Sequence, residues 1–210
     1  MNNEHLNFDQ AAENWDARPQ RVRLAQDIAD AILRLIPAPA SMDALDFGCG
    51  TGLLTLQLQP LVHSITGVDS SGGMLNVLDS KIANLKLANA RTLQCNIEQG
   101  DDLPGKYDLI VSSMAFHHIQ RIEPLLAQFF RVLAPGGRLC IADLDLEEGR
   151  FHADNTGVFH FGFDREWLQQ VFHQAGFSQI SARTAAQILK PDALHNPVSF
   201  SVFLLSGIKE

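Results

Sequence analysis

The sequence is poor in cysteine, and this scarcity excludes several classes of protein. Its 210 residues include only three cysteines, Cys49, Cys95 and Cys140, which are widely spaced and form no C-x-x-C pair. A disulfide-stapled secreted scaffold uses an even and denser set, so we expect reduced thiols. The first residues are polar and acidic, unlike a secretory signal or an arginine-rich transit peptide. These features predict a cytoplasmic protein.

A long apolar run and a basic surplus are also lacking. No stretch approaches the roughly 20 apolar residues that span a bilayer, so no membrane span is expected. The 16 lysines and arginines against 24 aspartates and glutamates give a formal net charge of −8. Binding of polyanions usually begins with a basic face, so no nucleic-acid partner is expected. A composition of 46% hydrophobic and 19% charged residues is typical of one globular domain at this length.

Short apolar runs alternate with helical periodicity through the middle of the chain. Near-continuous apolar strands separated by helices are typical of a parallel sheet that is covered on both faces. The predicted strands are Ala44–Phe47, Ser64–Val68, Ala90–Cys95, Leu109–Ser113 and Arg138–Ala142, and the predicted helices between them are Leu53–Gln59, Gly73–Ala83 and Ile122–Leu133.

The two ends of the chain follow other patterns. Helical spacing of apolar residues predicts N-terminal helices over Phe8–Trp15 and Val22–Ile36, with Pro37 and Pro39 stopping the second. Late in the chain, Asp164 is a good N-cap for one more helix, which Gly176 ends. The last two strand-like stretches have no helix between them and should form an antiparallel hairpin. These stretches are Phe177–Leu189 and Val198–Ile208.

The strongest local signal is the segment DFGCGTG (46–52), where a buried strand runs into three glycines and a helix begins at once. Glycine there permits positive φ and a close approach of ligand to backbone, although a plain tight turn would also use it. The dinucleotide fingerprint is G-x-G-x-x-G, whereas Gly48, Gly50 and Gly52 are spaced G-x-G-x-G. The preceding carboxylate of Asp46 would repel pyrophosphate and attract an ammonium group. We therefore expect a ligand that carries a cation in this place.

A second acidic residue stands at the tip of the next strand. Asp69 lies 17 residues past Gly52, the length of one helix and one strand. A carboxylate in this position can accept hydrogen bonds from both hydroxyls of a ribose. The alternative is that Asp69 only caps the following helix. Together with the glycine loop, Asp69 indicates a nucleoside with a positively charged tail.

These segments resemble the class I S-adenosylmethionine-dependent methyltransferases, and most closely those that act on small molecules in ubiquinone and menaquinone biosynthesis. The resemblance is strong over residues 43–144 and general in layout elsewhere. It implies a doubly wound, Rossmann-like, mostly parallel α/β sheet of seven strands with the C-terminal antiparallel hairpin. It also implies a single domain, in which residues 1–40 form helices that cap the cleft of a core at 41–210. The segments that carry it are DFGCGTG (46–52), VD (68–69), CNI (95–97), YDLIVSSMAFHHI (107–119) and RVLAPGGRL (131–139).

The resemblance also implies S-adenosylmethionine as the cofactor and assigns its contacts. Asp46 and the loop glycines would hold the methionine end, Asp69 the ribose, and Met74 would pack on the adenine unless it only fills the core. Asn96, where the family more often has aspartate, would accept from the adenine amino group and donate to a ring nitrogen. The full set of predicted cofactor contacts is Asp46, Gly48, Cys49, Gly50, Gly52, Asp69, Ser70, Met74, Asn96, Ile97 and Ser112.

Methyl transfer from a sulfonium is an in-line displacement, so it needs the acceptor held in place more than it needs a catalytic side chain. A base is required only when the acceptor must lose a proton, and His117 or His118 could supply it. The alternative is that one histidine lines the cofactor pocket and the other bonds a loop. Further on, His152, Asp154 and His160 match no zinc spacing with the preceding aspartates, so no metal is expected.

The segment FHADNTGVFHFGF (151–163) is the predicted acceptor region. Its four phenylalanines follow neither a helical nor a strand period, so we expect them to pack on the core or to line a cavity, away from water. If they line the site, Phe159 and His160 would contact the acceptor, and Trp15 would close over it. The acceptor would then be a small, largely apolar or aromatic molecule.

Two other functions remain open at this point. A nicotinamide-dependent oxidoreductase is one, although the glycine spacing, Asp46 and the terminal hairpin argue against it. A protein that binds S-adenosylmethionine without catalysis is the other. Within the methyltransferases, an RNA or protein acceptor is disfavoured by the net charge of −8 and the lack of an appended basic module.

Overall fold

The computed structural model describes residues 8–36, 39–191 and 196–210. Seven strands form one sheet, and six α-helices and several short 3-10 helices connect them. The strands are β1 Asp43–Phe47, β2 Ser64–Asp69, β3 Ala90–Gln94, β4 Tyr107–Ser113, β5 Leu133–Leu144, β6 Ser178–Pro191 and β7 Pro197–Ile208. The helices are α1 Phe8–Ala11, α2 Pro19–Leu33, α3 Leu53–Leu58, α4 Gly72–Leu85, α5 Ile122–Val132 and α6 Arg165–Gln174.

The strand order is β3-β2-β1-β4-β5-β7-β6. Strands β1 to β5 pair in parallel, whereas β7 pairs antiparallel with both β5 and β6. The expected fold class is therefore confirmed, including the C-terminal hairpin. The chain winds outward from β1 to β3 and then returns to start β4 on the other side of β1, and ligands bind beyond the strand ends at such a reversal.

Apolar side chains alternate between two cores, one on each face of the sheet. Leu45 of β1 and Ile110 of β4 are fully buried among residues of α5 and α6, including Phe129 and Phe172. Their neighbours in sequence point the other way, into a core built with α2 and α3. Helices thus cover both faces, which is why the central strands read as continuous apolar runs.

Several boundaries differ from the sequence-based expectation. The predicted strand Arg138–Ala142 is the middle of a longer β5, which begins at Leu133, a residue that was expected to end the preceding helix. The N-terminal helices differ as well. The predicted N-terminal helix over Phe8–Trp15 is a single α-turn, α1, followed by a 3-10 helix at Ala12–Ala17, because so short a segment sustains few i to i−4 hydrogen bonds. Helix α2 ends at Leu33, after which the Ile36 amide donates to the Leu33 carbonyl three residues back, at 3.3 Å. The predicted stop at Pro37 lies outside the described residues.

Two further findings concern the cysteines and the apolar character of the helices. All three cysteines are buried and unpaired. Among the described residues, no helix combines the length and the apolar character that crossing a membrane requires.

Candidate functional site

The carboxyl ends of β1, β2 and β4 meet at one edge of the sheet, and the glycine loop lies there. Gly48, Gly50 and Gly52 all have positive φ, at 68°, 54° and 84°. The three positions differ in what surrounds them. A Cβ on Gly48 would stand 2.4 Å from the Cβ of Ala115, and one on Gly52 would stand 2.3 Å from a methyl of Leu78. These two glycines are required by packing within the protein.

Gly50 is different because the space beside it is open. The nearest atom to a Cβ built on Gly50 is the sulfur of Met74, at 3.9 Å. Its positive φ is needed by the turn, but no atom of the described residues fills the space that the missing side chain leaves. Gly50 is therefore the loop residue at which a ligand could approach the backbone.

Asp69, at the end of β2, ties the loop to the start of α4. One carboxylate oxygen accepts a hydrogen bond from the Gly50 amide at 2.8 Å, and the other accepts from the Ser71 amide at 2.9 Å. The N-cap of α4 is Ser71, whose hydroxyl accepts from the Met74 amide at 3.1 Å. Asp69 is thus not the side chain that caps this helix. Burial raises its pKa, although hydrogen bonds from the backbone act in the opposite direction.

Asp46, at the end of β1, carries a buried oxygen that is not satisfied. Its Oδ2 accepts from the Thr55 hydroxyl at 2.6 Å, whereas Oδ1 has no hydrogen-bond partner among the described residues. Burial raises the pKa of Asp46 to about 7, and the nearby charge of Asp69 adds to this increase. On the neighbouring strand, the hydroxyl of Ser112 is also buried without a described partner. Buried polar atoms are rarely left unpaired, so these oxygens suit a ligand that donates hydrogen bonds.

The residues expected around an adenine lie on two neighbouring elements. Met74 is buried in the first turn of α4. The Asn96 side-chain oxygen accepts from the amides of Glu98 and Gln99, at 3.1 and 3.3 Å, and so caps the short 3-10 helix that Ile97 begins. These two bonds occupy the oxygen, so the NH₂ group of Asn96 is the part that is left to face a ligand. Ser70 is exposed beside Asp69.

The N-terminal segment lies directly over this part of the sheet edge. A carboxylate oxygen of Asp9 accepts from the Ser71 hydroxyl at 2.5 Å and from the Gly73 amide at 2.7 Å. A Cβ on Gly73 would stand 2.6 Å from the Asp9 Cα, so glycine is required for this close approach. Asp16 bonds the Thr51 hydroxyl at 2.5 Å and forms an ion pair with Lys81. These contacts could not be predicted from the sequence, because acidic residues in a polar N-terminal segment give no signal of their partners.

Aromatic side chains continue this cover toward the end of β4. The ring of Phe8 lies edge-on to Trp15 at 5.9 Å and edge-on to His118 at 5.3 Å between centroids. The guanidinium of Arg21 stacks over Trp15 at 3.5 Å, and it also donates to the Trp15 carbonyl. Trp15 is therefore held on the same side of the sheet as the candidate histidines.

Three histidines come together beyond β4 and β5. His117 Nδ1 lies 2.7 Å from a carboxylate oxygen of Asp143, and both side chains are buried. His118 Nδ1 lies 2.8 Å from the Gly157 carbonyl oxygen. His152 places its Nε2 atom 3.2 Å from Nε2 of His117. Met114, three residues before His117, has a φ of 56°, a rare conformation for a residue other than glycine and one that concentrates at functional sites.

The buried carboxylate and the low dielectric set the protonation of this cluster. Burial alone would raise the pKa of Asp143, but His117 and the amides of Leu144 and His117 lower it below the usual range. Desolvation, together with the neighbouring His117, lowers the pKa of His118 to about 4 and that of His152 to about 3. Both of these rings are consequently uncharged at neutral pH.

The other polar residues of the predicted cluster after β5 have separate roles. Asp154 accepts from the amide and hydroxyl of Thr156, at 2.9 and 2.8 Å. The His160 ring bonds the Ile119 carbonyl at 2.9 Å, and Asp145 accepts two hydrogen bonds from Arg165. Of this predicted group, His152 and Asp143 contact His117, whereas Asp145, Asp154 and His160 do not join the histidines.

The phenylalanines of 151–163 divide between core and surface. Phe151 and Phe163 are buried, but the expectation that none of them faces water is wrong, because Phe159 and Phe161 are 43% and 46% exposed. The loop is anchored by its backbone, since the amides of Phe159 and His160 donate to the His117 carbonyl at 2.9 and 3.2 Å. This bonding satisfies the backbone without requiring the Phe159 ring to be buried.

Known proteins resemble the chain in sequence. Residues 20–182 match the model of the methyltransferase domain family. An uncharacterized methyltransferase of Schizosaccharomyces pombe is 32% identical over 164 residues, which cover 70% of this chain and 57% of that protein. The demethylmenaquinone methyltransferase of Symbiobacterium thermophilum is 32% identical over 174 residues, which cover 76% of this chain and 63% of that protein. The chain thus spans less than two thirds of the length of either relative.

A solved structure shows the same fold at lower identity. Phosphoethanolamine N-methyltransferase 2 of Haemonchus contortus, in complex with S-adenosyl-L-methionine, matches with a TM-score of 0.69 and 18% identity. The match covers 86% of this chain and 52% of that one.

Proposed function

The chain belongs to the methyltransferase domain family, and from that premise we propose that it transfers a methyl group from S-adenosylmethionine to a small metabolite. The observation that carries the proposal is the unsatisfied oxygen of Asp46 beside an open glycine loop. S-adenosylmethionine is the cofactor, as expected from the sequence. It supplies a methyl group that is already activated by the positive charge on its sulfur.

The methionine end of the cofactor fits the residues at the end of β1. No described residue donates a hydrogen bond to the buried Oδ1 of Asp46, and an ammonium group would supply one together with a compensating charge. The open space at Gly50 would admit the ligand, whereas Gly48 and Gly52 keep the loop tightly packed. Cys49, buried between these glycines, and Ser112 on the next strand would complete the wall.

The nucleoside end fits the residues at the ends of β2 and β3. The Asp69 carboxylate is anchored by two backbone amides and still has lone pairs for the ribose hydroxyls, with Ser70 beside it. Met74 would pack on the adenine, and Ile97 would contact its edge. The NH₂ group of Asn96 would donate to a ring nitrogen, since its oxygen is occupied by the helix cap.

The chemistry asks the protein to hold an acceptor in line with the carbon–sulfur bond and to exclude water. The acceptor lone pair forms the new bond to the methyl carbon while the bond to sulfur breaks. The cover formed by Phe8 and Trp15 lies where it would keep water out of this space. With Phe159 and His160 it would favour a small apolar or aromatic acceptor. For an acceptor that must lose a proton, His117 or His118 would serve as the base.

The cofactor assignment is tested by ligand-induced stabilisation of the purified chain. S-adenosylhomocysteine at ~100 times its Kd should stabilise the protein by ~2.7 kcal/mol, and NAD should not change its melting temperature. Stabilisation by NAD and none by S-adenosylhomocysteine would favour the oxidoreductase alternative. The Asp46 carboxylate predicts the first result, because pyrophosphate would be repelled in its place.

Methyl transfer itself needs a separate measurement. Purified protein, cofactor with a labelled methyl group and a metabolite extract should yield a small molecule that has gained the label. Tight cofactor binding without any labelled product in metabolite, RNA or protein fractions would instead favour a binding protein without catalysis.

A further inference from the structure

We propose that His117, His118 and His152 bind one divalent transition-metal ion and leave one coordination position open. The three side chains come from two loops, and one ring nitrogen of each lies within 4.8 Å of the others. This set lies beyond β4 and β5, outside the residues that would hold the cofactor.

The spacing of the nitrogens suits a shared ion. His117 Nε2 and His152 Nε2 are 3.2 Å apart. Two nitrogens at ~2.0–2.1 Å from a zinc ion in tetrahedral geometry would be separated by about 3.3 Å. All three nitrogens lie within 4.8 Å of one another, so the third needs a contraction of at most about 1.5 Å to reach the same separation. Such a change is within reach of a ring on a surface loop.

The outer hydrogen bonds orient two of the rings as metal ligands usually are oriented. The carboxylate of Asp143 can only accept, so His117 donates to it from Nδ1 and its lone pair is left at Nε2. The Gly157 carbonyl fixes His118 in the same way. Metal-binding histidines almost always donate their other N–H to a carboxylate or a carbonyl.

Asp143 is itself held rigidly, which gives the arrangement the precision a metal site needs. Its carboxylate accepts from the Leu144 amide at 2.7 Å and from the His117 amide at 3.3 Å. Three imidazoles with an open fourth position form the donor set of catalytic zinc sites, and imidazole also suits cobalt, nickel, copper and iron.

The position of the site suggests a role, which rests on the proposed function. Ala115 packs against Gly48 of the glycine loop, and His118 packs against Phe8 of the N-terminal cover. An ion here would bind the oxygen or sulfur of an acceptor hydroxyl or thiol and lower its pKa. The proton would pass to water, and the resulting anion would take the methyl group as the carbon–sulfur bond breaks. The substrate class would then be hydroxyl or thiol compounds.

The test is a titration with Co²⁺ alone, in the absence of cofactor and acceptor. The full chain, with any affinity tag removed and after treatment with a chelator, should bind one equivalent and develop the visible absorption of low-symmetry Co²⁺. Excess Zn²⁺ should abolish this absorption. His118→Ala and His152→Ala should each weaken binding by at least ~100-fold, because loss of an outer hydrogen-bond partner alone costs ~10- to 100-fold and each variant loses a direct ligand.

The matched control is His63→Ala, since His63 is an exposed histidine that pairs with Asp43 at the far end of the sheet. This variant should bind Co²⁺ like the unchanged chain. Failure to bind one equivalent, or equal affinity in the His118 and His152 variants, would overturn the proposal and leave His117 and His152 as a hydrogen-bonded pair. Stabilisation by S-adenosylhomocysteine, measured on the same preparation, tests the proposed function separately.

Discussion

The glycine-loop region, from β1 to α4, and the histidine region beyond β4 and β5 both bury charged groups, but they do so in different ways. Asp46 has one oxygen without a hydrogen-bond partner in the described part of the chain, and burial raises its pKa to about 7. Asp143 is equally buried, yet it accepts hydrogen bonds from His117 and from two backbone amides, and its pKa is lowered. The first carboxylate is incomplete without a ligand, whereas the second already positions a neighbour.

This difference separates a binding group from a positioning group. An unpaired buried carboxylate destabilises the folded protein, and a ligand that donates a charged hydrogen bond removes that cost. A carboxylate that holds a histidine ring contributes to the fold with no ligand present.

The largest effect on stability is expected where the two regions touch. Gly48→Ala would place a Cβ 2.4 Å from that of Ala115 at a φ of 68°. Because backbone strain and overpacking add, the free energy of unfolding should fall by ~3 kcal/mol or more in urea denaturation. Gly136→Ala is the control, since its φ is 78° but its surroundings are open; it should cost ~1 kcal/mol. If the two variants lose the same free energy of unfolding, the glycine loop shifts to accommodate the added methyl group at Gly48.

Asp69→Ala should weaken cofactor binding more than it weakens the fold. The carboxylate would hold two ribose hydroxyls, which is worth ~2–3 kcal/mol, or a loss of ~30- to 150-fold in affinity for S-adenosylhomocysteine. Calorimetric titration checks this. Asp79→Ala on helix α4 is the control, because Asp79 accepts a solvent-exposed hydrogen bond from the Thr92 hydroxyl. The affinity of this variant for S-adenosylhomocysteine should stay unchanged. An unchanged affinity in the Asp69 variant would mean that this residue only links the glycine loop to helix α4 and does not bind the ribose.

Asp46 should give cofactor binding and stability opposite dependences on pH. Its pKa is about 7 in the folded protein against 3.8 without burial, so the folded state keeps a proton that the unfolded state loses between these values. Its contribution to stability is therefore present below about pH 4 and is lost as the pH rises through 7. Cofactor affinity should instead rise toward pH 8, by up to ~10-fold per pH unit below 7, because the ammonium group needs the carboxylate.

Asp46→Asn isolates this residue from other titrating groups. Differences between the variant and the unchanged chain, from pH 6 to 8, should show a flatter affinity profile and weaker binding throughout. The cofactor-free variant should gain stability relative to the unchanged chain as the pH rises. If cofactor affinity and stability depend on pH in the same way in the two proteins, the charge of the buried Asp46 carboxylate does not affect cofactor binding.

The two regions also differ in how far they can be predicted from the sequence. The glycine-loop region is contiguous, so Asp46, the glycines and Asp69 appear within 24 residues in a spacing that has one structural meaning. The histidine cluster is assembled across the sheet, with His152 35 positions from its partner His117. No linear spacing encodes that proximity, and it follows only once β4 and β5 are paired. Contacts of Asp9 and Asp16 were missed for the same reason.

The smallest effect is expected at the surface of the histidine region. Phe159 is 43% exposed, so Phe159→Ala should change the free energy of unfolding by no more than ~1 kcal/mol. If the ring contacts the acceptor, KM for the acceptor should rise by roughly 5-fold, which corresponds to ~1 kcal/mol of apolar contact. Affinity for S-adenosylhomocysteine should stay the same. Phe161→Ala is the matched control, since Phe161 is 46% exposed in the same loop. A KM that stays unchanged in the Phe159 variant would place the acceptor away from this ring.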